Sequence, residues 1–131
     1  MTKPVILCVD DERVVLESLK AQLKEAFGNA YLYEVAEDAD DALELIQELK
    51  EENISIILIV SDWLMPGMKG DEFLAHVHQE FPNIIKIMLT GQADESAIER
   101  ATEQANLHRC LHKPWSEAEL VDTIKLGLAK L

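Results

Sequence analysis

Apolar positions in this chain fall into two alternating kinds of run. Short stretches of strand length, 5–9 (V-I-L-C-V), 31–36, 54–60, 84–89 and 107–112, have the composition of strands, and 54–60 is so nearly continuous that it predicts burial on both faces. Between them, apolar residues recur at helical spacing. Val14, Val15, Leu16, Leu19, Leu23 and Phe27 predict a first helix, closed by Gly28-Asn29. Ala42, Leu43, Leu45, Ile46 and Leu49 predict a second, with Asp38 as its cap. A third covers 71–81 and ends at Pro82, and a fourth covers about 94–105. The capping box Ser116-Glu117-Ala118-Glu119 opens a fifth, with Leu120, Val121, Ile124, Leu128 and Leu131 on one stripe. Five strands alternating with five helices predict an α/β fold: a parallel sheet covered on both faces and joined by right-handed crossovers.

The 131 residues suffice for one domain, read here as 1–131, with no internal repeat or linker. No apolar run approaches the ~20 residues of a membrane-spanning helix. Met1-Thr2-Lys3-Pro4 leads straight into the first strand with no cleavage-site pattern, so the expected compartment is the cytoplasm. The formal charge of −13 speaks against direct nucleic-acid binding and suits cation binding. Cys8 and Cys110 lie in apolar runs, and both are expected as free thiols.

Ligands of an open parallel sheet bind outside the carboxyl ends of its strands. At those exits stand Asp10 and Asp11, Asp62, Thr90 and Lys113, while the second strand offers only Ala36-Glu37. Asp62 ends the most apolar strand, and Pro66, Gly67 and Gly70 break regular structure beyond it. A carboxylate there is costly unless it meets a cation or does chemistry. If the first and third strands are neighbours, about 4.8 Å apart, three carboxylates converge and repel. A hard divalent cation such as Mg2+ resolves the repulsion and keeps coordination positions for water or phosphate oxygens. Asp62 could then act as a nucleophile toward phosphorus. Lys113 and the Thr90 hydroxyl would hold the phosphoryl oxygens, and Gly91 would let the group approach the backbone.

These residues resemble the response regulator receiver domain, the CheY-like fold, over about 5–128. The marks are Asp10-Asp11, Asp62 in D-W-L-M-P-G-M-K-G, Thr90 in L-T-G and Lys113 in H-K-P-W. The resemblance implies a doubly wound sheet in the order 2-1-3-4-5. It implies phosphorylation of Asp62 by a histidine kinase or phosphotransfer protein, with Mg2+ held by Asp10, Asp11, Asp62 and the backbone carbonyl of Leu64. It further implies readout by an output domain or downstream protein through the surface of helix four, strand five and helix five, and it admits a homodimer. T-G-Q-A-D and K-P-W also resemble receivers fused to cyclic-dinucleotide or other signalling output domains. Two departures stand out. Cys110 occupies the place of the aromatic that partners Thr90 in the family's switch. Leu64 and Gln92 occupy the positions that tune phosphate lifetime, and Leu64 cannot hydrogen-bond an attacking water, so slow self-dephosphorylation is expected.

Other readings compete. A haloacid-dehalogenase-type phosphohydrolase would place an acid–base Asp at position 64, where this chain has Leu. An unphosphorylated scaffold would not require the five retained site residues. A nucleotide-binding dehydrogenase lacks its G-x-G-x-x-G. His76 and His78 read as surface residues, His108 and His112 as no zinc site, and Trp63 and Trp115 as packing over the site loop. Asp10-Asp11-Glu12 taken alone would be only an acidic helix start.

Overall fold

A computed structural model describes residues 3–92 and 95–131. The strands are β1 (Val5–Val9), β2 (Leu32–Ala36), β3 (Ile56–Asp62), β4 (Ile85–Thr90) and β5 (Arg109–His112). The helices are α1 (Arg13–Phe27), α2 (Ala39–Glu51), α3 (Gly70–Glu80), α4 (Glu95–Ala105) and α5 (Glu117–Leu128). All neighbouring strands pair in parallel, in the order β2-β1-β3-β4-β5. Among the described residues no helix is long and apolar enough to cross a membrane.

Side chains alternate across the pleat and so build two cores. On one face Ile6, Cys8, Leu58, Val60, Ile87 and Leu89 meet Leu16, Leu19 and Leu23 of α1 and Leu120 and Ile124 of α5. On the other, Val5, Leu7, Val9, Ile59 and Met88 meet α2, α3 and α4, whose contributions include Ile46, Phe73, Leu74 and Ala101. β1 and β3 are sealed on both sides, which is why their sequences read as continuous apolar runs. The predicted caps form: Asp38 Oδ1 accepts from Asp41 N at 2.8 Å, and Ser116 Oγ accepts from Glu119 N at 3.0 Å.

Several boundaries differ from expectation. β3 runs two residues further than predicted, because β4 continues beside it: Asp62 pairs with Leu89, and Trp63 N donates to Leu89 O at 2.8 Å. Ile54 instead closes α2, donating to Leu49 O at 2.9 Å. Leu107 likewise closes α4 through Ala101 O rather than starting β5. α5 ends at Leu128, so Leu131 is exposed and not part of the apolar stripe. The predicted fourth-helix start at Asp94 lies outside the described residues.

Candidate functional site

The carboxyl ends of β1, β3, β4 and β5 carry the predicted chemistry. Asp10 follows β1 directly and is fully buried. Its Oδ1 accepts from Glu12 N at 2.8 Å, which starts the turn into α1, and its Oδ2 accepts from Lys113 Nζ at 2.8 Å. Asp62, the last residue of β3, is only 4% exposed, and its Oδ1 lies 3.1 Å from the same Lys113 nitrogen. Asp11 is exposed beside them. Oxygens of Asp10, Asp11 and Asp62 all lie within 4.8 Å of one another. Lys113 is held over this edge by its backbone, whose N–H donates to Thr90 O at 2.8 Å, and its bond to Pro114 is cis.

The electrostatics follow from this crowding. Burial, then the charge of Asp10, pushes the Asp62 carboxyl up to about 6; Lys113 opposes the rise and Asp11 adds to it. Burial works against the charge on Lys113, but the hydrogen bond to Asp10 and the charges of Asp62 and Asp10 outweigh it and hold the ammonium above its usual range. One cation therefore faces three carboxylates. This all-oxygen, net-anionic donor set fits a hard divalent cation better than a soft metal.

Thr90 is buried at the end of β4, and its Oγ1 accepts from Gln92 N at 3.0 Å. Among the described residues, none apart from its two chain neighbours would lie within 4 Å of a Cβ on Gly91. Cys110 is not at the rim. It pairs with Met88, whereas Thr90 pairs with His112, so the thiol sits deeper on the same face, packed against the α2/α3/α4 core. Leu64 is 49% exposed and presents an apolar side chain at the mouth.

The loop after Asp62 is tightly seated. Met65 is buried, and Gly70 N donates to Trp63 O at 2.8 Å. A Cβ at Gly70 would stand 2.8 Å from Trp63 Cα and closer still to the Asp62 carbonyl, so only glycine lets α3 begin there. Trp63 lies against the α2/α3/α4 core and Trp115 against the α1/α5 core, where its Nε1 donates to Gln22 Oε1 at 2.8 Å.

Some residues took roles the sequence did not suggest. His78 is half-buried rather than a plain surface residue, because its Nδ1 accepts from the buried Lys86 at 3.1 Å. His76 and His112 are exposed. His108 donates to Thr123 O at 3.0 Å and is 2.8 Å from Lys130 Nζ, so it is engaged in packing α5. Both cysteines are free thiols. Asp71, read only as a helix start, is buried and bonded to Trp63 and Arg100. The one signal for it was an acid in the first turn of α3, which any exposed helix start would also show.

Known proteins bear on this arrangement. The family model described as the response regulator receiver domain matches residues 6–125. The hydrogenase transcriptional regulatory protein HoxA of Cupriavidus necator is 32% identical over 120 residues, which is 92% of this chain and 23% of HoxA. The chain thus spans about a quarter of the length of the first curated relatives it matches. Chemotaxis protein CheY-3 of Vibrio cholerae is 30% identical over 122 residues, 91% of this chain and 87% of that protein. The signal receiver domain of an HD domain-containing protein from Pseudomonas fluorescens superposes with a TM-score of 0.86 at 32% identity, covering 98% of this chain and 96% of that one.

Proposed function

Because this chain belongs to the response regulator receiver domain family of two-component signalling, we propose that Asp62 is its phosphoacceptor and that the domain signals by carrying or lacking a phosphoryl group there. The observation that carries the reading is the convergence of Asp10, Asp11 and Asp62 within 4.8 Å, with the Lys113 ammonium 3.1 Å from Asp62. At pH 7 a carboxyl titrating near 6 is roughly nine-tenths ionised and competent as a nucleophile. A carboxylate oxygen forms the new O–P bond as the N–P bond of a phosphohistidine donor breaks; the imidazole nitrogen keeps the electron pair and takes a proton from solvent. Lys113 holds one phosphoryl oxygen and Thr90 donates its hydroxyl to another. Asp10, Asp11, Asp62 and the Leu64 carbonyl would hold Mg2+, which when bound neutralises charge at the third.

A histidine kinase or phosphotransfer protein is the donor in this reading. The added charge re-biases the α4–β5–α5 surface toward an output domain, a downstream protein or a second copy of the chain. The setting is cytoplasmic. Thr90 and Cys110 lie two register positions apart on a common face of the sheet, so a switch through them uses a small thiol. The apolar Leu64 positions no water for attack, so the acyl phosphate is expected to outlast minutes.

Intact-mass measurement after phosphoramidate or acetyl phosphate with Mg2+ tests the reading. One added phosphoryl group, absent in Asp62→Asn, is the expected result. No mass gain, or an equal gain in Asp62→Asn, overturns it. A phosphate half-life of seconds would refute the role given to Leu64.

A further inference from the structure

The residue after the acceptor is fastened at three points. Trp63 N donates to Leu89 O at 2.8 Å, Trp63 O accepts from Gly70 N at 2.8 Å, and the indole Nε1 donates to Asp71 Oδ1 at 3.0 Å. Asp71 is 8% exposed, and its other oxygen, Oδ2, accepts from Arg100 Nε at 3.1 Å. A carboxylate this deep is tolerated when both oxygens are satisfied. Here one oxygen is satisfied by the acceptor loop and the other by α4.

The rest of the α4 face toward the core is apolar. Its fully buried positions are Ala97, Ala101 and Ala105, small side chains that let it approach α3 closely, with Ile98 packed alongside. Small side chains let a helix slide over its neighbour more readily than interlocking ones, and the Arg100–Asp71 pair ties that movement to the residue after Asp62. The indole N–H, unlike the ring, adds little to core packing; its use is directional.

We propose that Asp71 and Arg100 are positioning residues that couple the acceptor loop to α4. Displacement of residues 62–64 on occupation of the site moves the indole, the indole moves the Asp71 carboxylate, and Arg100 carries that shift into the helix. This inference rests on the reading of Asp62 as phosphoacceptor and concerns how that site is read out.

Amide NMR spectra of the full chain test it, using Mg2+ with beryllofluoride as the probe. Variants Trp63→Phe, which keeps an aromatic though smaller ring and loses the N–H, and Arg100→Met leave Asp71 in place and should fold. In the wild type, amides at 62–64, 90–92 and 95–105 are expected to shift. In either variant the site amides shift as before, while the α4 shifts fall to less than half, and the double variant falls no further. Undiminished α4 shifts, or losses that simply add, overturn the coupling. A second arm needs no phosphoryl analogue: Trp63→Phe alone should perturb amides at 99–103, and should not do so in an Arg100→Met background. A wild type deaf to beryllofluoride would sink the phosphoacceptor reading while this arm still decides whether the link exists; perturbation at 99–103 that persists without Arg100 refutes it.

Discussion

Asp62 and Lys86 are charged side chains buried on strands of one sheet, at opposite ends of it. Asp62 is 4% exposed and Lys86 1%. Asp62 stands among its own kind, with two further carboxylates and a shared ammonium. Lys86 is served by neutral acceptors, donating to Ile84 O at 2.8 Å and to His78 Nδ1 at 3.1 Å. Burial displaces both titrations, the acid up to about 6 and the lysine down to about 8, but only the acid is also pushed by like charges. A buried charge is therefore not by itself a mark of function. Like charge at the carboxyl edge that one ammonium only partly relieves is such a mark, because folding has left there a repulsion that a cation can exploit.

The largest effect that sharpens this contrast is steric. At the carboxyl edge α3 presses on the backbone of Asp62 and Trp63, and a methyl at Gly70 would have nowhere to go. Gly70→Ala is expected to cost about 3 kcal/mol or more, read by denaturant unfolding. A cost under about 1 kcal/mol would mean that the acceptor loop is not held rigidly.

Next comes the charge itself. The folded Asp62 titrates near 6 against an ordinary value of 3.8, so between these values the folded protein binds the extra proton. Its contribution to stability is complete below pH 3.8 and is lost as pH rises through 6. Asp62→Asn in chelator should therefore be more stable than the wild type above pH 7, by on the order of 2–3 kcal/mol, with the gap gone near pH 4. Saturating Mg2+ should narrow it. A gap independent of pH would break the claim that this end is under electrostatic strain.

The contrast was only half legible beforehand. The strand exits could be read because each acid or hydroxyl directly follows an apolar run, and a parallel sheet puts all exits on one edge. Asp10, Asp11, Asp62 and Lys113 do converge there. Lys86 interrupts I-I-K-I-M-L in the same manner, but nothing local tells whether such a lysine escapes to solvent or is turned inward; His78, eight residues away, decides it. Asp71 escaped notice for a like reason, since Arg100 is 29 residues distant. Cys110 stands three residues before Lys113 in the sequence, yet its depth follows from pairing with Met88, which only the register reveals.

At the amino edge the charge prediction reverses in sign. Folded Lys86 loses its proton near 8, unfolded near 10.5, so the unfolded chain binds more protons in that window and the wild type gains stability as pH rises through it. Lys86→Met removes the titrating group while keeping the stem's bulk. The wild type should gain about 2 kcal/mol on the variant between pH 8 and pH 10.5, measured as the difference of two denaturation curves at each pH. A flat difference would mean that the ammonium is not desolvated, and the two ends would differ less than argued.

The smallest effect comes from the second crowded glycine. A Cβ at Gly127 of α5 would lie 2.8 Å from Ile85 Cγ2 and 3.2 Å from His108 Cδ2, as near as a Gly70 Cβ to Trp63 Cα though not as near as that Cβ to the Asp62 carbonyl. The neighbours are side chains, however, and both are only half-buried, so they can rotate aside. Relief at the helix interior offsets part of the cost, since Ala is favoured over Gly there by about 1 kcal/mol. Gly127→Ala should lose no more than about 1 kcal/mol and weaken the His108–Thr123 hydrogen bond, a change visible in the histidine ring resonances. Yielding side chains at one end and unyielding backbone at the other would then separate two substitutions that both crowd a neighbour. A loss matching that of Gly70→Ala would show the amino edge to be as rigid as the site.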